Sequence, residues 1–351
     1  MKIVCIGDLL LTSDMMKAAV EKDKCYDKAC YFDFGPEDRN ELRQYVRLME
    51  TEGFHCANLP DEIYHELEDA DVLQVHLAPV PQKVFEVAKK LKLILSNRGG
   101  TENIDLQSAT KHNVAVLCNP AHNANAVAEM TLALILAETR NIARNHLSLV
   151  KDKKWYENPP NAGNIHELCS LTIGLVGYGT IGKIVAKLLE AHGSKVLVYD
   201  PFIKVVEEPN VELSATLEDL LRKSDIVSLH ARVSDSTKNL IGEKELELMK
   251  PSAMLVNTAR AALIDMDALY KALEKKRIMG AALDVFPVEP LPVDYPFLEL
   301  DNVTLVCHKG GDTVESYQNS PGMLLKEAEN FFSGTKEPAF FVNKMDRKRS
   351  V

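Results

Sequence analysis

A chain of 351 residues is too long for one ordinary hydrophobic core and predicts two domains. Its 41 basic and 51 acidic residues leave a net charge of -10, which argues against a nucleic-acid binder, whose footprint would be basic. No apolar run approaches the roughly 20 residues of a membrane span, and the opening MKIVCIGDLLL has no basic leader or small-residue cleavage site. From the N-terminus the pattern predicts a strand at KIVCIGD, a helix after Thr12, a strand at ACYFDF and a helix from Pro36 to about Gly53. Strands follow at DVLQVHL, KLILS and VAVLC with helical segments between them, so residues 1 to about 122 make a complete small α/β domain with a parallel sheet.

A helix from Asn125 to about Leu149 opens the second domain. Val127, Met130, Leu132, Leu134, Ile135 and Leu136 make it apolar on every side, as expected of a helix buried all round, either between domains or in a subunit interface. A polar loop with Trp155, Pro159 and Pro160 leads to a strand at Leu171. Beyond Asp200, strands are expected at SDIVSLH, SAMLVNT, MGAALDV and NVTLVCH, with helices near Leu217 and Leu269. A last helix, Asp312 to Phe332, follows the final strand and suggests that the chain crosses back to the first domain. The basic tail KMDRKRSV reads as a solvated terminus.

Seven cysteines (Cys5, Cys25, Cys30, Cys56, Cys118, Cys169 and Cys307) show neither C-x-x-C pairing nor regular spacing, which fits a reducing cytoplasm and gives no zinc-ligand pattern. Cys5, Cys118 and Cys307 lie in apolar runs and read as small core residues.

The segment LTIGLVGYGTIGKIVAKLLEAHGSKVLVYD carries the strongest signal. An apolar strand runs into Gly177, Gly179 and Gly182, a helix follows, and a second strand ends on Asp200. Gly177 permits the tight turn, Gly179 the approach of a pyrophosphate, and Gly182 close packing of helix on strand. The helix N-terminus at Thr180 and Ile181 would take the pyrophosphate. Asp200 would accept hydrogen bonds from the adenosine ribose and repel a phosphate there, so the cofactor is expected to be NAD rather than NADP.

Three polar residues stand at later strand ends: Arg260 in VNTARAALID, Glu289 in ALDVFPVEPLP and His308 in LVCHKGGDT. In an open α/β sheet, ligands bind beyond the carboxyl ends of the strands. A histidine can take the proton of an alcohol as hydride leaves its carbon, a carboxylate beside it orients the ring, and an arginine offers a planar fork to a substrate carboxylate.

Taken together, GxGxxG, the acid, NTAR, ALDVF, EP and CHKGG resemble the D-isomer-specific 2-hydroxyacid dehydrogenase family. NRGGTENIDL and NPAHNANAVAEMTLALILAETRN extend the resemblance over nearly the whole chain. It implies two doubly wound parallel-sheet α/β domains with an active-site cleft between them. One is a flavodoxin-like substrate-binding domain (1–122 plus 311–351), the other a Rossmann NAD-binding domain (123–310). It further implies a homodimer built around the cofactor domains that acts on a small 2-hydroxy or 2-keto acid. Matched residue by residue, His308 is the acid/base, Glu289 its partner and Arg260 the carboxylate binder. Arg98, Gly99 and Gly100 form a substrate loop, while His230, Thr258 and Asp284 lie along the cofactor, with Asp284 helping to place the nicotinamide.

Three departures bear on the substrate. Ala261 replaces the usual glycine after the arginine, which is tolerable only where that turn needs no positive φ. Pro120-Ala121-His122-Asn123-Ala124 lacks an expected arginine. Lys309 replaces a common isoleucine, and if it faced the cleft it would suit a dicarboxylate or phosphorylated hydroxyacid; otherwise it points to solvent. Two rival readings are an NAD(H)-sensing binding protein like the C-terminal-binding-protein co-repressors, and a formate dehydrogenase, whose chemistry needs no histidine–glutamate pair.

Overall fold

The computed structural model describes residues 1–206 and 208–343; the basic tail from Lys344, including Arg347 to Ser350, lies outside them. The chain divides into two units, Met1–Asn123 together with the chain from Thr313, and Ala124–Asp312.

Unit 1 holds five parallel strands: β1 (Lys2–Gly7), β2 (Lys28–Asp33), β3 (Val72–Val75), β4 (Leu93–Ser96) and β5 (Ala115–Cys118). Their order, β2-β1-β3-β4-β5, is the flavodoxin-like doubly wound order. Alternation along each strand fills both faces. Val4, Ile6, Leu73, Val75, Ile94 and Val116 enter one core cluster, and Ile3, Cys5, Val72, Leu93, Leu95 and Leu117 the other. The helix Val314–Ser333 covers the second face with Leu324, Leu325 and Ala328. It opens with a capping box at Thr313, whose hydroxyl accepts the Ser316 N–H.

Unit 2 holds seven parallel strands: β6 (Thr172–Val176), β7 (Lys195–Tyr199), β8 (Val211–Leu213), β9 (Ile226–Leu229), β10 (Met254–Asn257), β11 (Gly280–Leu283) and β12 (Val303–Leu305). The order β12-β11-β10-β9-β6-β7-β8 is that of a Rossmann sheet with one added edge strand. Val176, Val227, Leu229 and Leu255 face one core cluster; Ile173, Leu175, Val198 and Val256 face the other. The short edge strand β8 and the helix Glu243–Leu248 have no counterpart in the sequence reading, because three or six residues carry too little periodicity.

The helix expected over Asn125 to Leu149 is divided. It runs Ala124–Thr139, breaks at Asn141, whose φ of +55° is left-handed, and resumes as Ile142–Leu147. Its burial is also incomplete. Asn125, Glu129 and Ala133, four residues apart, form an exposed stripe. The buried side includes Glu138, whose carboxylate pairs with Arg144 Nη2 at 2.7 Å and accepts the Thr304 hydroxyl of β12 at 2.6 Å, polar ties that hydrophobic periodicity cannot reveal. Cys307 is a further correction. The strand expected through NVTLVCH ends at Leu305, so Cys307 falls on an exposed turn, and Cys118 is only half-buried. No helix among the described residues is long and apolar enough to cross a membrane.

Candidate active site

The sheet order of unit 2 reverses between β6 and β9, and the glycine turn sits at that point. Gly177 has φ +101°, a conformation that L side chains rarely adopt. A Cβ on Gly182 would overlap the Gly177 carbonyl oxygen, so the helix Thr180–Ala191 can lie against the turn only with glycine there. A Cβ on Gly179 would meet nothing within 4 Å, which leaves the backbone open to a bulky group. The helix starts at Gly179 without a side-chain cap, so its first N–H groups remain available to an anion.

Asp200 closes β7 and is held by the turn itself: Oδ2 accepts the Tyr178 N–H at 2.8 Å and Oδ1 the Phe202 N–H at 2.9 Å. Each carboxylate oxygen retains acceptor capacity for a ribose hydroxyl. His230, at the end of β9, lies beside the turn, 3.7 Å from a Cβ built on Gly182. Burial pushes its pKa down to about 4, so the ring is neutral at physiological pH, and its Nε2 lies 3.0 Å from the Ser228 hydroxyl. Thr258 is buried, and its hydroxyl meets that of Thr131 at 2.7 Å.

Arg260, Glu289 and His308 follow β10, β11 and β12, three adjacent parallel strands, and so share one edge of the sheet with the glycine turn. His308 Nδ1 is 2.7 Å from Glu289 Oε2, and Glu289 Oε1 accepts the Phe286 N–H at 2.9 Å. The carboxylate thus fixes the ring while Nε2 makes no hydrogen bond among the described residues. The pair is open to solvent, with side chains 48% and 36% exposed. His308 has φ +53°, a left-handed backbone at a non-glycine residue, of the kind held only where surrounding contacts over-determine it.

Asp284, 1% exposed, supplies those contacts: Oδ1 accepts the Lys309 N–H at 2.7 Å and Oδ2 the Gly310 N–H at 2.8 Å. Burial pushes this carboxyl above the usual carboxylate range, against the opposing pull of the two N–H groups and of His308. Its observed contacts are with the histidine loop, a role that motif reading alone did not suggest. Asn257 was missed as well. Its Nδ2 donates to the Arg260 carbonyl at 2.9 Å and its Oδ1 accepts the Ala259 N–H at 3.0 Å, which shapes the arginine turn. The guanidinium of Arg260 is exposed and donates once, to the Ala259 carbonyl at 2.7 Å. Ala261 opens a 3₁₀ turn and is absent from the positive-φ residues, so the departure from glycine is tolerated. Lys309 is ion-paired with Asp312, which balances its charge locally.

Arg98, Gly99 and Gly100 follow β4 in unit 1. The Arg98 guanidinium lies 3.7 Å from Glu102 and donates to the Met49 sulfur at 3.1 Å. Elsewhere in unit 1, Asp23, Cys25 and Glu329 bring three possible ligand atoms within 4.8 Å of one another, an exposed grouping that is common without an ion.

The profile described as D-isomer specific 2-hydroxyacid dehydrogenase, NAD binding domain, matches residues 132–310. A glyoxylate reductase from Thermofilum pendens is 38% identical over 290 residues, covering 81% of this chain and 84% of that protein. The chain belongs to the D-isomer-specific 2-hydroxyacid dehydrogenase family. A D-3-phosphoglycerate dehydrogenase from Methanocaldococcus jannaschii is also 38% identical, over 76% of this chain, which spans about 50% of that longer protein. In structure, the NAD-complexed D-isomer specific 2-hydroxyacid dehydrogenase of Lactobacillus delbrueckii ssp. bulgaricus matches with a TM-score of 0.78 at 26% identity, covering 98% of this chain and 100% of that one.

The dehydrogenase is NAD-dependent, and the open backbone at Gly179, the uncapped helix and the Asp200 carboxylate fit that dinucleotide. Replacing Asp200 with alanine is expected to raise the KM for NADH by about 10-fold or more, since a hydrogen bond to a charged group is worth about 1.5–3 kcal/mol. It should also narrow the preference over NADPH. Steady-state kinetics with both cofactors measures this, and an unchanged preference would remove Asp200 from cofactor selection.

Proposed function

We propose that this dehydrogenase interconverts a small D-2-hydroxy acid and its 2-keto acid, with His308 as the acid/base, Glu289 as its orienting partner and Arg260 as the binder of the substrate carboxylate. The observation that carries the reading is the His308–Glu289 contact of 2.7 Å, with the ring's Nε2 left free on the same sheet edge as the dinucleotide fingerprint. NAD, when bound, supplies the hydride acceptor for oxidation and, reduced, the donor for reduction.

His308 Nδ1 keeps its proton toward Glu289, so the proton exchanged with the substrate oxygen moves at Nε2. Protonated, the ring donates to the keto oxygen; neutral, it accepts the hydroxyl proton. Glu289 holds the plane of the ring, and Asp284 keeps the loop 308–310 in place through two backbone N–H groups. Arg260 grips the neighbouring acid group with N–H groups that are otherwise free among the described residues. Reduction consumes the proton on His308, so its kcat/KM should fall with rising pH, while that of oxidation should rise. Flat profiles in both directions, with chemistry rate-limiting, would count against His308.

Unit 2 is read as the NAD-binding domain, along with His230, Thr258 and Asp284, and unit 1 as the substrate-binding domain, with the loop Arg98, Gly99 and Gly100 meeting the substrate carboxylate. Homodimer formation is supported by the apolar run at the start of unit 2, where Ile142, Leu147, Val150 and Trp155 are all more than half exposed. Seven free thiols support a reducing cytoplasm. The assignment is tested by NADH oxidation with pyruvate, glyoxylate, hydroxypyruvate, 2-ketoglutarate and phosphohydroxypyruvate. Binding of NADH without turnover of any of them would instead indicate a dinucleotide sensor.

A further inference from the structure

Unit 1 carries buried polar side chains at its strand ends that the hydride chemistry does not use. Past β1 and β3, Asp8 Oδ2 meets His76 Nδ1 at 2.7 Å. Past β4 and β5, which pair side by side, stand Asn97 and Asn119, and both reach one hydroxyl, that of Ser320 in the helix Val314–Ser333. Ser320 lies on the buried stripe of Leu324 and Ala328, where helix periodicity would place an apolar side chain. A polar group enclosed there must be satisfied by the protein itself. Asn119 Nδ2 donates to Ser320 Oγ at 3.1 Å, and the hydroxyl donates to Asn97, with Oδ1 at 3.1 Å and the carbonyl at 3.3 Å. Gln74, also buried, closes the network from β3 by donating to the Pro321 carbonyl at 3.3 Å.

The network closes around the loop Arg98, Gly99 and Gly100. On its entry side, the Asn97 backbone N–H and Nδ2 both donate to the Val75 carbonyl, at 2.8 and 3.1 Å. Within it, the Arg98 carbonyl accepts the Asn119 N–H at 2.8 Å. In a planar trans peptide the N–H points opposite to the C=O, so turning the Arg98 carbonyl onto Asn119 turns the Gly99 N–H away from it. The Gly100 carbonyl is drawn inward in the same way by the Ser96 hydroxyl, at 3.4 Å. The N–H groups of Gly99 and Gly100 make no hydrogen bond among the described residues, and successive free N–H groups form an anion-binding concavity. The Arg98 guanidinium, by contrast, faces Glu102 and the Met49 sulfur, so what the loop leaves free is its backbone.

We propose that Ser320 is a positioning residue for substrate binding: its hydroxyl, held between Asn97 and Asn119, fixes the peptide that joins Arg98 to Gly99 and so aims the N–H groups of the loop at the substrate carboxylate. Ser320 touches no substrate; it acts through the two asparagines that flank the loop in space. A hydroxyl suits this task because it accepts from one amide and donates to the other, which an apolar side chain of the helix stripe cannot do. Such a network rigidifies what it surrounds only when every member is satisfied, as Ser320 and Asn97 are here. The proposal rests on the reading of Arg98, Gly99 and Gly100 as the carboxylate loop.

Ser320→Ala removes the hydroxyl from a helix that alanine favours, so the fold should hold, with the thermal midpoint as the check. KM for 2-keto acids should rise about tenfold, the scale of one weakened hydrogen bond to a charged group. The kcat should stay within about threefold and the NADH dissociation constant within about twofold, the pattern of binding lost equally from ground and transition states. Asn119→Ala, which keeps the backbone N–H, should raise KM to a similar extent, and the double variant should lose no more than the larger single, because both act through one network. Independently of turnover, in protein labelled with ¹⁵N-glycine and saturated with NADH, the carboxylate oxamate should shift the amide resonances of Gly99 and Gly100, and should bind about tenfold more weakly to Ser320→Ala. Wild-type KM and oxamate affinity in Ser320→Ala, additive losses in the double variant, or an equal rise in the NADH dissociation constant would overturn the positioning role. Oxamate binding to the wild type that leaves both resonances unmoved would instead overturn the reading of the loop itself.

Discussion

His308→Asn is expected to lower kcat for keto-acid reduction by roughly 10²- to 10⁴-fold, the range that a positioned general acid contributes. Asparagine is the informative replacement for two reasons. It tolerates the left-handed backbone that φ of +53° imposes better than most residues do, and its amide can still donate toward Glu289 where Nδ1 did. What it cannot do is exchange a proton with substrate. The dissociation constant for NADH, measured by fluorescence, should stay within about twofold, because no residue of the glycine turn is changed. A loss of kcat under tenfold, with chemistry shown to be rate-limiting, would remove His308 from the proton path.

Arg260→Lys is expected to lower kcat/KM by about 10- to 150-fold while the charge at the site is conserved. The substitution exchanges a rigid fork of donors for a point charge, and one lost hydrogen bond to a charged group costs about 1.5–3 kcal/mol. The turn should survive, since Asn257 shapes it through the Arg260 carbonyl and the Ala259 N–H rather than through the guanidinium. The guanidinium is also exposed, so stability should change little. The loss should be greatest in KM for 2-keto acids and absent from NADH binding. Wild-type kinetics in the lysine variant would mean that charge alone, or another residue, holds the acid group.

The cofactor turn was legible in the sequence because its requirements are local. Gly177 needs a positive φ, Gly182 needs an absent Cβ, and Asp200 needs to end the next strand; each is met within thirty residues. The strands of both sheets other than the short edge strand β8 were legible as well, since strands buried on two faces read as short continuous apolar runs. Cys307 was misplaced because an apolar run does not record where the chain leaves the sheet, and the left-handed backbone at His308 ends it early. The division of the helix after Thr139 was likewise hidden, since Asn141 is an ordinary helix residue until its backbone conformation is known.

The order of residues alone determined the α/β class, the dinucleotide fingerprint and the three strand-end residues, because these depend on periodicity and on contacts between near neighbours in the chain. Only the tertiary structure decided which of them meet. The closure of His308 on Glu289 across nineteen residues, the hold of Asp284 on the backbone of Lys309 and Gly310, and the pairing of Asp8 with His76 across sixty-eight residues all arise from strands distant in sequence lying side by side, 4.7–4.9 Å being the usual spacing of paired strands. The physical reason is that hydrogen bonds to a carboxylate depend on distances of a few ångströms, and strand pairing rather than chain order sets those distances.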